Sequence, residues 1–203
     1  RRSPGIKFED LPNIDYVLIS HNHYDHMDLP TLVRLRDKFN PTIIVPLGDK
    51  PLLLDNGFKK VIEMDWWEKI HLKHNNILTF VPAQHSSMRT LWDRYENLWG
   101  GYVIQNNEGP IYFAGDTGFG IHFQQIFHKF GPMRFSMIPI GAFKPEKLLA
   151  KFHTSPDEAV QAHLIVKSQI SMGIHWGTFK QTIESIYDPP RYLDKARIKY
   201  NIA

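Results

Sequence analysis

Short runs rich in Ile, Val, Phe and Tyr alternate along the chain with stretches in which apolar residues recur every three or four positions. Runs of the first kind suit buried strands, and stretches of the second kind suit helices that bury one face. Strands are predicted over Tyr16–Ser20, Thr42–Val45, Ile77–Val81, Gly101–Gln105, Ile111–Ala114, Ser136–Ile140 and Ile170–Ile174. Asn106-Asn107-Glu108-Gly109 predicts a hairpin turn between two of them, because Asn and Gly tolerate the backbone that tight turns need. Helices are predicted over Leu29–Phe39, with Leu32, Leu35 and Phe39 on one face, and over Ile121–Phe130. Ser155-Pro156-Asp157-Glu158 is the sharpest start signal: Ser as N-cap, Pro at the first helical position and Glu closing a capping box, with the helix running to about Val166. No repeat, low-complexity tract or Gly/Ser linker divides the chain, so one α/β (α+β) domain over residues 1–203, with helices covering a sheet, is expected.

Composition narrows the function. A chain of 203 residues buries roughly 70% of its unfolded surface and needs no staples. Net charge is only +3, with 42% apolar and 22% charged residues, so neither disorder nor a polybasic nucleic-acid tail is expected. The basic group Arg191, Lys195, Arg197 and Lys199 is offset by Asp188 and Asp194 and reads as a solvated helix face. No uncharged apolar run approaches the ~20 residues that span a bilayer, and the opening RRSPGIKFED lacks the apolar core of a signal peptide, so a soluble chain is expected. The absence of Cys excludes disulfides, thiolate metal sites and cysteine nucleophiles, whereas eleven His direct attention to a metal site of imidazole and carboxylate, a ligand set that suits Zn, Fe or Mn.

The run Ser20-His21-Asn22-His23-Tyr24-Asp25-His26 follows the strand YVLIS directly and precedes a helix, placing four metal-ligand side chains within six positions. In a turning backbone, residues i and i+2 point the same way, so His21 and His23 can chelate one ion while the turn sends Asp25 and His26 toward a second. The plain alternative is a polar loop in which Asp25 caps the helix. Three more ligand-type residues stand just past apolar strands: His85 after ILTFVPAQ, Asp116 after IYFAG and His175 after ISMGI. Side chains leaving the same ends of neighbouring strands converge at one sheet edge. The seven divide into His21, His23 and His85 around one ion and Asp25, His26 and His175 around another, with Asp116 bridging. Each ion keeps a position for a shared hydroxide, which suits displacement at phosphorus or attack at a carbonyl.

This set, His21-x-His23-x-Asp25-His26 with His85, Asp116 in Gly-Asp-Thr, and His175, resembles the metallo-β-lactamase superfamily of dinuclear hydrolases over about Ile14 to Thr178. The resemblance implies a metallo-β-lactamase-like αββα sandwich and two divalent ions, zinc first, with iron or manganese as alternatives. HYDHMD, Arg89-Thr90-Leu91 to Leu98-Trp99-Gly100, Ile138-Pro139-Ile140-Gly141-Ala142, His153-x-x-Pro156-x-Glu158-Ala159-Val160 and His175-Trp176-Gly177-Thr178-Phe179 are similar to the N-acylphosphatidylethanolamine phospholipase D branch. That branch opens with β-hairpins, while here about twenty residues precede His21 and the first is not Met, so a fragment lacking the opening strands is expected.

The branch resemblance implies catalytic roles for Asp25 and His153 and substrate contacts by Arg89, Trp92, Phe143 and His153, with His153 binding or protonating a phosphate group. Trp92, Tyr95, Leu98 and Trp99 are candidates to line an acyl channel, although core packing suits Trp99 better. The expected activity is hydrolysis of a small-molecule or lipid phosphodiester, with no nucleic-acid partner. The expected placement is cytoplasmic, with peripheral membrane contact as an option, and the oligomeric state is left open. The rivals are a sugar-phosphate lactonase and a metal-binding protein without turnover. A β-lactamase fits less well, since one group of those enzymes uses a Cys ligand and none resembles the bridging pattern of Asp116.

Overall fold

Each predicted strand forms where β-branched and aromatic residues cluster, and the sheets they build are set by direction. The computed structural model describes residues 4–202; the expected domain limits at 1 and 203 lie outside the described residues. In chain order the regular elements are β1 (Tyr16–Leu18), α1 (Leu29–Phe39), β2 (Thr42–Pro46), α2 (Lys50–Asp55), β3 (Val61–Met64), β4 (Lys69–His71), β5 (Ile77–Val81), β6 (Gly101–Gln105), β7 (Ile111–Phe113), α3 (His122–Phe130), β8 (Phe135–Pro139), α4 (Glu146–Leu149), α5 (Pro156–Ile165), β9 (Ile170–Ile174) and α6 (Asp188–Lys199). The expected capping box is present: the Ser155 hydroxyl accepts from the Glu158 N–H, and the Glu158 side chain accepts from the Ser155 N–H. The basic group near the C-terminus lies on α6.

One sheet is parallel, ordered β1-β2-β3; the other is mixed and six-stranded, ordered β4-β5-β6-β7-β8-β9. Three apolar clusters show the layering. Leu32 and Leu53 of α1 and α2 pack on Ile43 and Val45 outside the first sheet. Ile44 and Met64 meet Leu78, Phe80 and Tyr102 between the sheets. Phe123, Ile126, Ala159 and Ala162 of α3 and α5 cover Val103, Tyr112 and Ile138 outside the second. The order of layers is α–β–β–α. The Tyr102 hydroxyl, fully buried, donates to the Ile19 carbonyl at 2.8 Å, and the Gly100 N–H donates to the Ser20 carbonyl at 2.9 Å, so the sheets are tied together beside His21.

The three-stranded sheet covers only part of its partner. Ile111, Phe135 and Ile170 are paired across β7, β8 and β9, as are Phe113, Met137 and Met172, so each row shares a face. Phe113 reaches the inter-sheet cluster, but at the far end of the rows Ile170 is 64% and Met172 48% exposed. Each such side chain forgoes about 1.5–3 kcal/mol of burial. The 203-residue chain is therefore expected to self-associate through this face, and Ile170→Lys with Met172→Glu to return it to a monomer, as read by concentration-dependent light scattering. A monomeric mass at all concentrations for the unsubstituted chain would contradict this.

Candidate metal centre

Strands β5, β7, β8 and β9 run in one direction, because β5 and β7 each pair antiparallel with β6 and β7, β8 and β9 pair parallel. Their C-terminal ends share an edge with the end of β1, and His85, Asp116 and His175 leave there beside the His21–His26 loop. In that loop the His26 and Met27 N–H groups both donate to the His23 carbonyl, a tight turn that swings Asp25 and His26 away from His21 and His23. The helix cap is Asp28, whose side chain accepts from the Thr31 N–H at 3.1 Å, so capping does not account for Asp25. Gly115 takes φ +63°, and a Cβ there would lie 2.7 Å from both the Gly100 carbonyl oxygen and the Ser20 Cβ. His175 itself holds φ +58°, a conformation few non-glycine residues adopt outside constrained sites.

The side chains form two groups that meet at Asp116. His21 Nε2 lies 2.9 Å from His23 Nδ1, which lies 3.3 Å from His85 Nε2. A tetrahedral shell with bonds of about 2.0–2.1 Å has edges near 3.3 Å, so the spacing matches nitrogens aimed at one ion. Their outer nitrogens are anchored: His85 Nδ1 donates to the Phe152 carbonyl at 2.9 Å, and His21 Nδ1 meets Ser20 Oγ at 3.0 Å. A carbonyl only accepts, so in a neutral His85 the bare nitrogen is Nε2, facing its neighbours. Burial holds His21 well below an imidazole's ordinary pKa, lowers His23, and brings His85 down to about 3.

In the second group, His26 Nε2 lies 3.2 Å from Asp25 Oδ2 and 3.1 Å from Asp116 Oδ2, and His175 Nε2 lies 3.4 and 3.1 Å from the same two oxygens. Burial would lower His26, but Asp116 and Asp25 outweigh it and raise its pKa to about 10. Burial would raise the two carboxylates, yet His175 and His26 hold both well below the usual range. Asp116, 4% exposed, also comes within 3.9 Å of His85 Nε2 and so touches both groups. Its Oδ1 has no hydrogen-bond partner, and neither has His26 Nε2 despite its short contacts. Orphaned buried donor atoms of this kind, nitrogen and oxygen together, fit a pair of divalent cations.

Two hydrogen bonds bring His153 to the same edge: the Thr154 N–H donates to the Thr117 carbonyl at 2.7 Å and the Thr154 hydroxyl to the Pro139 carbonyl at 2.7 Å. The His153 ring stacks on His175 with centroids 5.6 Å apart, and its buried, unpartnered Nδ1 lies 3.9 Å from Asp116 Oδ2. His85, Asp116 and His153 thus make a third ligand-like group.

The other expected contacts are placed differently. Phe143, expected to touch substrate, is 1% exposed and packs against Tyr192, so it belongs to the core. Arg89 uses Nη1 on the Asn22 and Met27 carbonyls, bracing the His21–His26 loop, and its guanidinium lies over the Tyr24 ring. Trp92 is 88% exposed and does not line the cleft of about 390 Å³ formed by His23, Tyr24, Asp25, Met88 and Leu91, while Trp99 sits against Trp66. Gln181, which no motif marked, donates to Asp25 Oδ2 at 2.5 Å and lines a second cleft with His175 and Trp176. A single Gln in a loop carries no sequence signal; only the folded loop brings it there.

Metal-replete protein is expected to hold close to two ions per chain by elemental analysis. Asp116→Asn should weaken both sites together, whereas His175→Ala should empty chiefly one. Saturation at one ion would reject the shared role of Asp116.

A sequence profile described as "Beta-lactamase superfamily domain" matches residues 1–176. The chain is 39% identical to "N-acyl-phosphatidylethanolamine-hydrolyzing phospholipase D 1" of Caenorhabditis elegans, covering 94% of this chain and 56% of that protein. It is 35% identical to the mitochondrial "N-acyl-phosphatidylethanolamine-hydrolyzing phospholipase D" of Saccharomyces cerevisiae, covering 91% of this chain and 41% of that protein. The chain therefore spans about half the length of these relatives. Igni18, a metallo hydrolase of the archaeon Ignicoccus hospitalis, shares the fold with a TM-score of 0.68 at 19% identity, over 90% of this chain and 72% of that one. The profile match over most of the chain and the shared fold agree with the sequence resemblance, and the chain belongs to the β-lactamase superfamily.

Proposed function

We propose that the protein is a dinuclear metal-dependent hydrolase of phosphodiesters, acting as a phospholipase D on N-acylphosphatidylethanolamine-like lipids. The observation that carries this reading is Asp116: a buried carboxylate whose Oδ1 has no partner and whose Oδ2 is approached by His26 and His175 at 3.1 Å and by His85 at 3.9 Å. His21, His23 and His85 would hold one ion, Asp25, His26 and His175 the other, and Asp116 both. Such ions, zinc first, supply Lewis-acid polarisation of phosphoryl oxygens and lower the pKa of water. Relatives whose names specify hydrolysis of N-acylphosphatidylethanolamine support the lipid class.

The chain's own residues do the rest. Ser20 and the Phe152 carbonyl fix the His21 and His85 rings, so little reorganisation accompanies reaction. His153 stands beside the centre with Nδ1 free to bind a phosphate oxygen or to pass a proton to the departing alcohol, while water supplies the oxygen that joins phosphorus. Exposed Tyr24 and Leu91 line the cleft next to Asp25 and suit acyl chains or a lipid surface. Among the described residues no helix is long and apolar enough to cross a membrane.

The third ligand-like group favours a second reading, in which His153 binds metal itself. His153→Ala separates the two. The primary reading expects both ions to remain while kcat on a phosphodiester falls about 100-fold; loss of an ion would make His153 a ligand. Turnover of a lactone, with phosphodiesters inert whether or not they carry acyl chains, would overturn the phospholipase assignment.

A further inference from the structure

Asp49 stands three residues past the end of β2, at the N-cap position of α2, where an Asp side chain ordinarily accepts from the first free N–H groups of the helix. It makes no such bond. Glu63 Oε1 takes the Gly48 and Lys50 N–H groups instead, at 2.9 and 2.8 Å, and the Asp49 carboxylate turns inward, fully buried. Its Oδ1 accepts from Asn22 Nδ2 at 3.0 Å and Asn97 Nδ2 at 2.5 Å; its Oδ2 has no partner. Among the described residues no cation forms an ion pair with it, and the nearby Arg89 directs Nη1 to the Asn22 and Met27 carbonyls. A buried carboxylate held by two neutral amides is expensive to keep, and nothing in local helix formation calls for it.

Both asparagines lead to the same place, Asn22 through its side-chain amide and Asn97 through its backbone. Asn22 lies between His21 and His23. With its Nδ2 committed to an acceptor-only carboxylate, its Oδ1 faces the Met88 N–H at 2.9 Å, three residues past His85. Asn97, anchored to Asp49 by its side chain, accepts from the Ser87 hydroxyl with its backbone carbonyl at 2.5 Å, two residues past His85. We propose that Asp49 is a positioning residue for the three-histidine half of the centre, its Oδ1 orienting Asn22 and Asn97 so that the His21–His23 loop is locked against the His85 loop. This rests on the metal-centre reading above, and concerns residues that touch neither ion nor substrate.

The acceptor atom is what matters, so Asp49→Asn, which keeps Oδ1 for both amides, should behave as the parent. Asp49→Leu leaves two buried amides unpaired and frees Asn22 to turn Nδ2 toward the Met88 N–H, a meeting of two donors. In a His175→Ala background, where only the three-histidine group is intact, Co²⁺ titrated into the metal-free protein reports that group through visible absorption. Asp49→Leu is expected to weaken Co²⁺ binding about 10–100-fold and to alter the band intensities, with Asp49→Asn at the parent's affinity. Unchanged binding and spectrum in Asp49→Leu would overturn the role of Asp49. No uptake by the parent would instead overturn the metal-centre reading and this inference with it. If Asp49→Leu does not fold, Asn22→Ala carries the same test: weakened binding supports the proposal, and parental binding overturns it.

Discussion

The arrangement depends on one electrostatic constraint, the burial of Asp116. A carboxylate taken out of water costs several kcal/mol unless positive charge and hydrogen bonds replace the solvent, and here one of its oxygens has no hydrogen-bond partner. The nearest compensation comes from His175 and His26, each with Nε2 3.1 Å from Asp116 Oδ2, and Asp116 and Asp25 raise the His26 pKa to about 10 despite burial. The three-histidine group has the opposite character: His21 and His85 are desolvated, neutral bases with their outer nitrogens already occupied. One carboxylate thus joins a group that attracts cations through charge to a group that attracts them through lone pairs.

Holding these groups together is the task of the sheet edge. Tyr102 of β6 and Gly100 just before it bond to Ile19 and Ser20 just past β1, so the backbone leading to the first ligand is tied to the six-stranded sheet. Gly115 lets the chain turn past Ser20 and Gly100 to deliver Asp116, and a side chain at that position would push the layers apart. Beyond β7 the face left open by the three-stranded sheet has no such demands, and it is there that Ile170 and Met172 meet solvent.

What was legible in the sequence follows from how local each signal is. Seven ligand-type residues stood out because four fall in one loop and three follow directly on apolar strands, and strand direction then brings them together. The strands with unbroken apolar runs and α1, α3 and α5 were legible because their patterns are local too. β3 was not, because Glu63 interrupts its apolar run; the structure uses that residue on the backbone at the start of α2. β4 is three residues, Lys69-Ile70-His71, with no pattern to detect, and α2 and α4 are too short to show a period. The branch resemblance put Phe143 and Arg89 at the substrate; which way each points is settled by Tyr192 and by the Asn22 and Met27 carbonyls, contacts made at long range. Asp49 was invisible because it looks like an ordinary helix cap.

Anomalous diffraction from crystals grown with Zn²⁺ tests the central claim most directly, since it locates the ions without reference to activity. The account predicts two neighbouring anomalous peaks, one among His21, His23 and His85 and one among Asp25, His26 and His175, both within bonding distance of the Asp116 carboxylate. A single peak, or two peaks of which only one is bonded to Asp116, would contradict it.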